Sequence, residues 1–312
     1  MSDINEVAKL VEVSKMYYED NMTQAEIGRK IQVSRPLVSK MLSRAKELGI
    51  VKIEIRSLFS SNDLIMGQIR NVFNIKGGVI VPQGKTEYIT KQTVLNHSIQ
   101  YIKDMLAETK SVGLGWGYTI GALVDGLEKI EDASRYEGEI CPLIGTANIP
   151  NKSYHPNDLV RIFSNSTGLK PSFIYAPAFP TTKEEKDIYL QTENFRSIDE
   201  QWDSLDIVIM AVGNFPSVPD QATASRFGKK LIQEKAVGVF LSYYFNKDGK
   251  IIKSKDDHVM HISLEKLSRA KKVIAICINA SVDAIIGVLR TGFVTHIIMD
   301  EKTATEVIMN KV

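Results

Sequence analysis

Between residues 29 and 46 the chain carries six basic side chains, Arg29, Lys30, Arg35, Lys40, Arg44 and Lys46, and no acid. Lysine and arginine neutralise phosphates, and either can bond guanine O6 and N7; serine meets several base edges and leucine packs on a thymine methyl. Arg35 and Lys40 are therefore candidates for guanine or phosphate, Ser39 for a base edge and Leu37 for a methyl group. Thr23, Ser34, Arg44 and Lys46, with Lys52 and Arg56, suit a nucleic-acid backbone. On a helical wheel Pro36, Ser39, Lys40 and Ser43 stand opposite the apolar stripe, and Arg35, Leu37, Arg44 and Lys46 lie along its flanks. Most charge runs are only solvated faces, so the weight of this one depends on the elements that hold it.

A second candidate is GLGWGYTIG, residues 113–121. Glycines there let the backbone turn sharply and point N–H groups at a helix N-terminus, where the dipole favours a phosphate or another anion; Thr119 adds a hydroxyl. The alternative is that Gly113, Gly115 and Gly117 only relieve a tight strand-to-helix turn. A dinucleotide fingerprint fits less well, because Gly117 to Gly121 is one residue longer than the GxGxxG spacing. Loop residues Gly145, Thr146 and Asn148, then Gly213 and Asn214, then Asn279 and Ser281, can bond hydroxyls of a small polar ligand, although each is also ordinary loop chemistry. His258 and His261 in HVMH have no evident third metal ligand. Nucleophile-elbow, Walker A and zinc spacings do not occur, so no catalytic residue, metal or cofactor is expected.

The elements that must position the basic face can be read from spacing. Val7, Leu10, Val11, Tyr17 and Tyr18 repeat as an amphipathic helix over 4–20. A short helix follows at MTQAE, where Thr23 and Glu26 have the capping-box spacing and Ile27 and Ile31 share a face. Gly28 gives that helix a smooth point of close contact. A third helix runs from Ser34 to Leu48, its hydroxyl cap expected at Ser34, Pro36 early where no donor is needed, and Val38, Met41, Leu42, Ala45 and Leu48 buried. Gly49 stops it. VKIEIR, 51–56, then alternates as a half-buried strand. Two short helices joined by a tight turn, a basic second helix and a following strand predict a winged helix-turn-helix, whose second helix puts its N-terminal part in the DNA major groove. Gln32 stands where many such turns carry glycine.

Beyond residue 58, apolar runs alternate with helical patterns: VIVP then 85–108, SVGLG then 118–129, EICPLIG then 157–168, SFIYAP then 183–195. DIVIMAVG precedes a helix near 223–235, VGVFLSYYF follows, KVIAICIN precedes 281–290, and THIIMD precedes 301–310. This rhythm predicts an α/β, Rossmann-like domain with a mostly parallel sheet covered on both faces. The expected domains are thus 1–57, binding DNA, and 58–312, binding an effector and oligomerising. The amphipathic segment 63–73 either couples the two or packs under the linker. With 312 residues, 44% of them hydrophobic, and a net charge of +2, the chain is globular, and any polyanion surface must be local. Cys141 and Cys277 lie in apolar segments, which suits reduced thiols, and neither a leader nor a run of about 20 apolar residues occurs. A soluble, cytoplasmic protein without membrane contact is expected.

The stretches TQAEIGRKIQVSRPLVSKMLSRAKELGIVKI, VGLGWGYTI, AVGVFLSYYFNKDGKII and VIAICINASVDAIIGVLRTGFVTHIIMDEKTATEVI, in that order, resemble the SorC family of bacterial sugar-responsive transcription regulators. The resemblance covers essentially the whole chain. It implies a DNA-binding domain joined to an effector domain related to sugar-phosphate isomerases, acting as a homodimer or homotetramer on operator DNA, with a sugar or phosphosugar as effector. Gly117, Tyr118 and Thr119 match the family's phosphate-binding turn, and Asn157 an asparagine at the start of the next helix. Two positions depart. Val239 stands where many members carry an acid, and Ser281 where they carry a lysine, so the ligand is less phosphate-like than usual or the pocket is degenerate. A sugar-phosphate isomerase with a DNA-binding cap, or an effector-independent DNA-binding protein, are the competing readings.

Overall fold

The computed structural model describes residues 2–48, 50–51, 61–130, 134–147, 155–216, 224–254 and 257–310, and the chain divides into two compact units, Met1–Leu58 and Phe59–Val312. In the first unit, α1 (Ser2–Tyr18), α2 (Gln24–Lys30) and α3 (Arg35–Glu47) enclose a small core of Val13, Met16, Ile27, Val38 and Leu42. The buried stripe of α1 is Leu10, Val13, Ser14 and Met16 rather than the expected set, for Val7 and Tyr18 are exposed. Ser14 is tolerated inside because its hydroxyl donates to Leu10 O at 2.7 Å.

The turn between α2 and α3 explains two residues. A Cβ on Gly28 would lie 2.7 Å from Val33 O, so only glycine lets the chain double back here, and Val33 N–H donates to Gly28 O at 2.8 Å. Gln32 adopts φ +58°, the left-handed conformation that glycine takes in many such turns. Ser34 does precede α3, but its hydroxyl accepts no first-turn N–H; its carbonyl does the capping, from Leu37 N at 3.0 Å and Val38 N at 3.2 Å. Leu48, expected in the stripe, is the C-cap of α3 and is 48% exposed. Gly49 and the strand expected at 51–56 lie outside the described residues except for Val51, whose N–H donates to Ala45 O at 3.2 Å.

The second unit is an α/β domain. Its strands are β1 (Gly77–Val81), β2 (Ser111–Leu114), β3 (Glu139–Pro142), β4 (Lys170–Pro171), β5 (Ile207–Ala211), β6 (Gly213–Asn214), β7 (Ala236–Phe240), β8 (Tyr243–Asn246), β9 (Ile251–Ile252), β10 (Lys272–Ile276) and β11 (His296–Asp300). Seven form a parallel sheet in the order β1-β11-β10-β5-β2-β3-β4, and β6-β7-β8-β9 form a small antiparallel sheet. The near-continuous apolar strands sort by parity. Val208, Met210, Val273, Ala275, Ile297 and Met299 enter one core, and Ile207, Ile209, Ile274, Ile276 and Ile298 the other.

The second of these cores is covered by α5 (Glu87–Leu106), α6 (Tyr118–Glu128) and α7 (Pro156–Thr167). The first is covered by α4 (Ser61–Phe73), α9 (Glu193–Trp202), α12 (Val282–Arg290) and α13 (Glu301–Met309), while α8 (Lys183–Leu190), α10 (Lys230–Gln233) and α11 (Leu264–Arg269) are shorter. Met66 and Ile69 place α4 in this core, in keeping with the packing reading of 63–73.

Four expected elements come out differently. SFIYAP contributes no ladder strand: β4 is the preceding Lys170–Pro171, and Pro177 makes only a bridge to Thr146, because prolines remove ladder donors. The segment 183–195 is two helices, α8 and α9, with Thr192 capping the second through Phe195 N–H at 3.3 Å. VGVFLSYYF is a hairpin, turning at Leu241 and Ser242, both with positive φ. The helix expected near 223–235 reduces, among the described residues, to a 3-10 turn at Ser225–Phe227 and the four-residue α10, with Gly228 at φ +55° between them.

Candidate functional site

In the N-terminal unit the core fixes which face of α3 is free. Val38, Leu42 and Ala45 are buried, and Ser34, Arg35, Pro36, Leu37, Ser39, Lys40, Ser43, Arg44 and Lys46 are exposed. No acid lies in the first turn of α3. Lys46 Nζ sits over the Tyr18 ring at 5.9 Å, so α1 supports the basic flank of α3. Leu37, 45% exposed near the helix start, has no core neighbour to explain it.

Thr23 has a different task. Its hydroxyl donates to Glu26 Oε2 at 2.7 Å and accepts from Glu26 N at 3.3 Å, while its own N–H donates to Glu26 Oε2 at 2.8 Å. Those donations, the side chain's first and the backbone's second, hold the Glu26 carboxyl below its usual range. Thr23 therefore caps α2 and has no proton left to give a phosphate.

In the sheet unit, β2, β3 and β4 step outward in one direction and β5, β10 and β11 in the other, so the topological switch lies between β2 and β5. Ligands of open α/β sheets bind beyond the carboxyl ends of such strands. The turn after β2 separates the roles of its glycines. Gly113 and Gly115 are packing residues: a Cβ on Gly113 would meet Leu143 Cδ2 at 2.5 Å, and one on Gly115 would meet Ile209 O at 3.0 Å. Gly117 has φ +97° and ψ −178°, a conformation almost confined to glycine, and open space where a Cβ would be. It precedes α6, whose first turn holds no acid; Tyr118 is 58% exposed and Thr119 half-buried. Trp116 and Phe179, 6.1 Å apart, stand beside this turn.

The remaining expected ligand residues divide. Gly145 is buried, its N–H donates to Met260 O at 2.7 Å, and a Cβ would meet Ala176 O at 2.6 Å, so it is a packing position. Asn157 pairs with the backbone of Ile174, donating to its O at 2.8 Å and accepting from its N at 3.1 Å; it holds the chain rather than facing a ligand. Gly213 pairs with Val239 in the antiparallel sheet. Ser281 caps α12, accepting from Ala284 N at 3.2 Å.

One residue given only a general role by sequence organises this edge. Asn214 donates to Asn279 O at 2.8 Å and accepts from Ser281 N at 2.7 Å, joining the loops after β5 and β10. Thus Gly117, Tyr118 and Thr119 are the candidate ligand-facing set at the switch, and Asn214, Asn157, Ser281 and Gly145 support it.

The sequence reading named His261 alone from a partly buried polar cluster beside the hairpin. Arg226 donates to Asp257 Oδ1 at 3.1 Å and Ser242 O at 2.8 Å, among the rings of Phe179, Phe227 and Tyr244. His261 stacks on Tyr243 with centroids 4.0 Å apart, and its Nδ1 lies 2.7 Å from Leu241 O. Burial pulls the His261 pKa down to about 4. Among the described residues no group of three or more His, Cys, Asp or Glu is placed to hold a metal.

Residues 59–309 match the family model described as "Putative sugar-binding domain". The sorbitol operon regulator of Klebsiella pneumoniae is 25% identical over 97% of this chain and 98% of its own. The chain belongs to the SorC family of transcriptional regulators. Another relative, the deoxyribonucleoside regulator of Bacillus subtilis strain 168, is 22% identical over 94% of this SorC-family chain and 95% of its own. The crystal structure of the full-length Klebsiella pneumoniae SorC superposes with a TM-score of 0.81 at 22% identity, covering 97% of this chain and 98% of that one, so the fold is shared. Among the described residues no helix is long and apolar enough to cross a membrane.

Proposed function

We propose that the N-terminal unit reads operator DNA with the exposed face of α3, and that the sheet unit binds a small sugar or phosphosugar at the switch between β2 and β5. The observation that carries the DNA reading is the acid-free face of Arg35, Leu37, Ser39, Lys40, Ser43, Arg44 and Lys46, held outward by a core that takes Val38 and Leu42 from the opposite stripe. Ser34 and Pro36 bring the helix start close to the backbone. On the effector side, the Gly117 turn offers amide donors at the N-terminus of α6, Tyr118 and Thr119 supply side-chain groups, and Asn214 ties the loops after β5 and β10 together.

The protein acts in the cytoplasm as a homodimer or homotetramer, so its operator is pseudo-palindromic with half-sites spaced by whole helical turns. The effector binds one of two arrangements better and so shifts DNA affinity. The test is binding of the purified protein to the duplex upstream of its own gene against a scrambled duplex at fixed salt, with and without a panel of sugars and sugar phosphates. Preference for the native duplex, altered by one compound, supports the reading. Equal, salt-sensitive binding to both duplexes overturns it.

A further inference from the structure

A satellite core lies beyond the carboxyl ends of β2 and β3, apart from the two that cover the sheet. Ile144, Ala178 and Val259 are buried in it, and the half-buried Trp116 and Phe179 pack against it. Backbone bonds tie the loops after β3, β4 and β9 together around it: Ala178 N–H donates to Thr146 O at 2.6 Å, Met260 N–H to Ala178 O at 2.9 Å, and Gly145 N–H to Met260 O at 2.7 Å. Trp116 is the residue before Gly117, so whatever seats its ring also sets the entry to the turn that leads into α6.

Phe179 touches both Trp116 and Arg226. Its ring centroid is 6.1 Å from that of Trp116 and 5.4 Å from Arg226 Cζ. The guanidinium is itself fixed, by Asp257 and Ser242 O through its nitrogens and by the rings of Phe227 and Tyr244, 4.8 and 5.6 Å from Cζ. Ser254 Oγ donates to Arg226 O at 3.0 Å and fixes the backbone as well. The Arg226 side chain is 13% exposed and that of Asp257 22%, so both ions have lost much of their water. A desolvated pair is a weak source of stability compared with apolar groups of the same volume. What it adds is direction: a planar fork held by two bonds and stacked on rings has one orientation, which neither a lysine nor an apolar side chain reproduces.

We propose that Arg226, held by Asp257, is a positioning residue for the effector site: it seats Phe179 against Trp116 and thereby sets the backbone of the Gly117 turn. This rests on the reading of that turn as the effector site. Arg226 acts through the two rings and not by touching the effector.

The chain carries its own reporter, because its two tryptophans are Trp116 and the fully buried Trp202. In a full-length Trp202→Phe background, checked for a cooperative melt, emission comes from Trp116 alone. To this background are added Arg226→Lys, or Arg226→Met together with Asp257→Asn, which leaves no unpaired ion inside. Ile198→Val, in the core under α9, is the control for lost stability alone. Acrylamide quenching of the ligand-free proteins, and titration with inorganic phosphate at constant ionic strength as the probe of the Gly117 turn, are both read from that emission. The double change is expected to open Trp116 to the quencher and to weaken phosphate binding about tenfold. Arg226→Lys, which keeps the charges but not the fork, is expected to fall between, and Ile198→Val to melt lower with quenching and affinity unchanged. Unchanged quenching after the double change, or unchanged phosphate affinity while quenching rises, overturns the proposal. So does an equal response in Ile198→Val. No response of the background protein to phosphate up to about 50 mM counts against the Gly117 reading instead, and quenching then decides separately whether Arg226 seats Trp116.

Discussion

Gly117→Ala separates conformation from space in the turn after β2. A Cβ at this position would meet nothing within 4 Å, so alanine adds no clash. The backbone, however, is at φ +97° and ψ −178°, where an L-residue is strained by about 1–3 kcal/mol. If the strain stays, a unit of roughly 250 residues loses about 2–12 °C in Tm. If the turn relaxes instead, the amide donors at the start of α6 move and effector binding falls with little loss of stability. Gly115→Ala is the control: its Cβ would press on Ile209 O at 3.0 Å and Met210 Cα at 3.3 Å, so it destabilises through packing. Differential scanning calorimetry with and without the bound sugar reads both variants. A Gly117→Ala protein with wild-type Tm and wild-type effector affinity would refute the assignment of that glycine to a ligand-presenting turn.

On operator DNA, Arg35→Ala and Lys40→Ala should each weaken specific binding by about 1–3 kcal/mol where they contact a base, while Lys46→Ala should weaken all sequences alike and reduce the salt slope by about one; titrations at several salt concentrations separate the cases. Gly28→Ala should destabilise the N-terminal unit by about 1–3 kcal/mol, since its Cβ would sit 2.7 Å from Val33 O, whereas Gln32→Gly should stabilise it by about 0.5–1 kcal/mol by relieving φ +58°; thermal melts of the full chain in both variants check the signs. Acid should destabilise the sheet unit. Burial holds the His261 and His296 rings neutral below their usual range, so the unfolded state binds the extra protons and stability falls as pH drops from about 6.5 towards 4. His261→Asn should make the dependence of Tm on pH in that window shallower, leaving the part due to His296; an unchanged slope counts against the neutral His261 ring.

The sheet was legible because its strands are apolar without interruption. DIVIMA and KVIAIC admit no solvent face, so helices must cover both sides, and the parity of Ile207 to Ala211 then divides them between two cores. The same property misled at VGVFLSYYF: an apolar run of that length carries no sign of a turn when Leu241 and Ser242, rather than glycine, take positive φ. The exposed face of α3 was legible from the period of Val38, Leu42 and Ala45. The cap was not, because Ser34 has the right type and place but spends its carbonyl rather than its hydroxyl. Asn157 and Gly145 were sorted by chemistry that any loop shares; only three-dimensional partners reveal that one braces Ile174 and the other fits beneath Ala176. Arg226 and Asp257 lie 31 residues apart, beyond any local pattern.

The two departures from the family pattern acquire a physical meaning from their neighbours. Val239 packs with Phe215, Phe227 and Tyr244, in surroundings where a carboxylate would need a compensating donor. Ser281 spends its hydroxyl on Ala284 N, and the acid two residues on, Asp283, is paired with Lys247 at 2.7 Å. Neither position supplies a free charge to a ligand at the switch. In the proposed effector site, anion recognition falls to the amides of the Gly117 turn, the dipole of α6 and the hydroxyl of Thr119, each weaker than a desolvated lysine. On the proposed reading, a site built this way distinguishes a phosphosugar from its free sugar by less than one with an ammonium group.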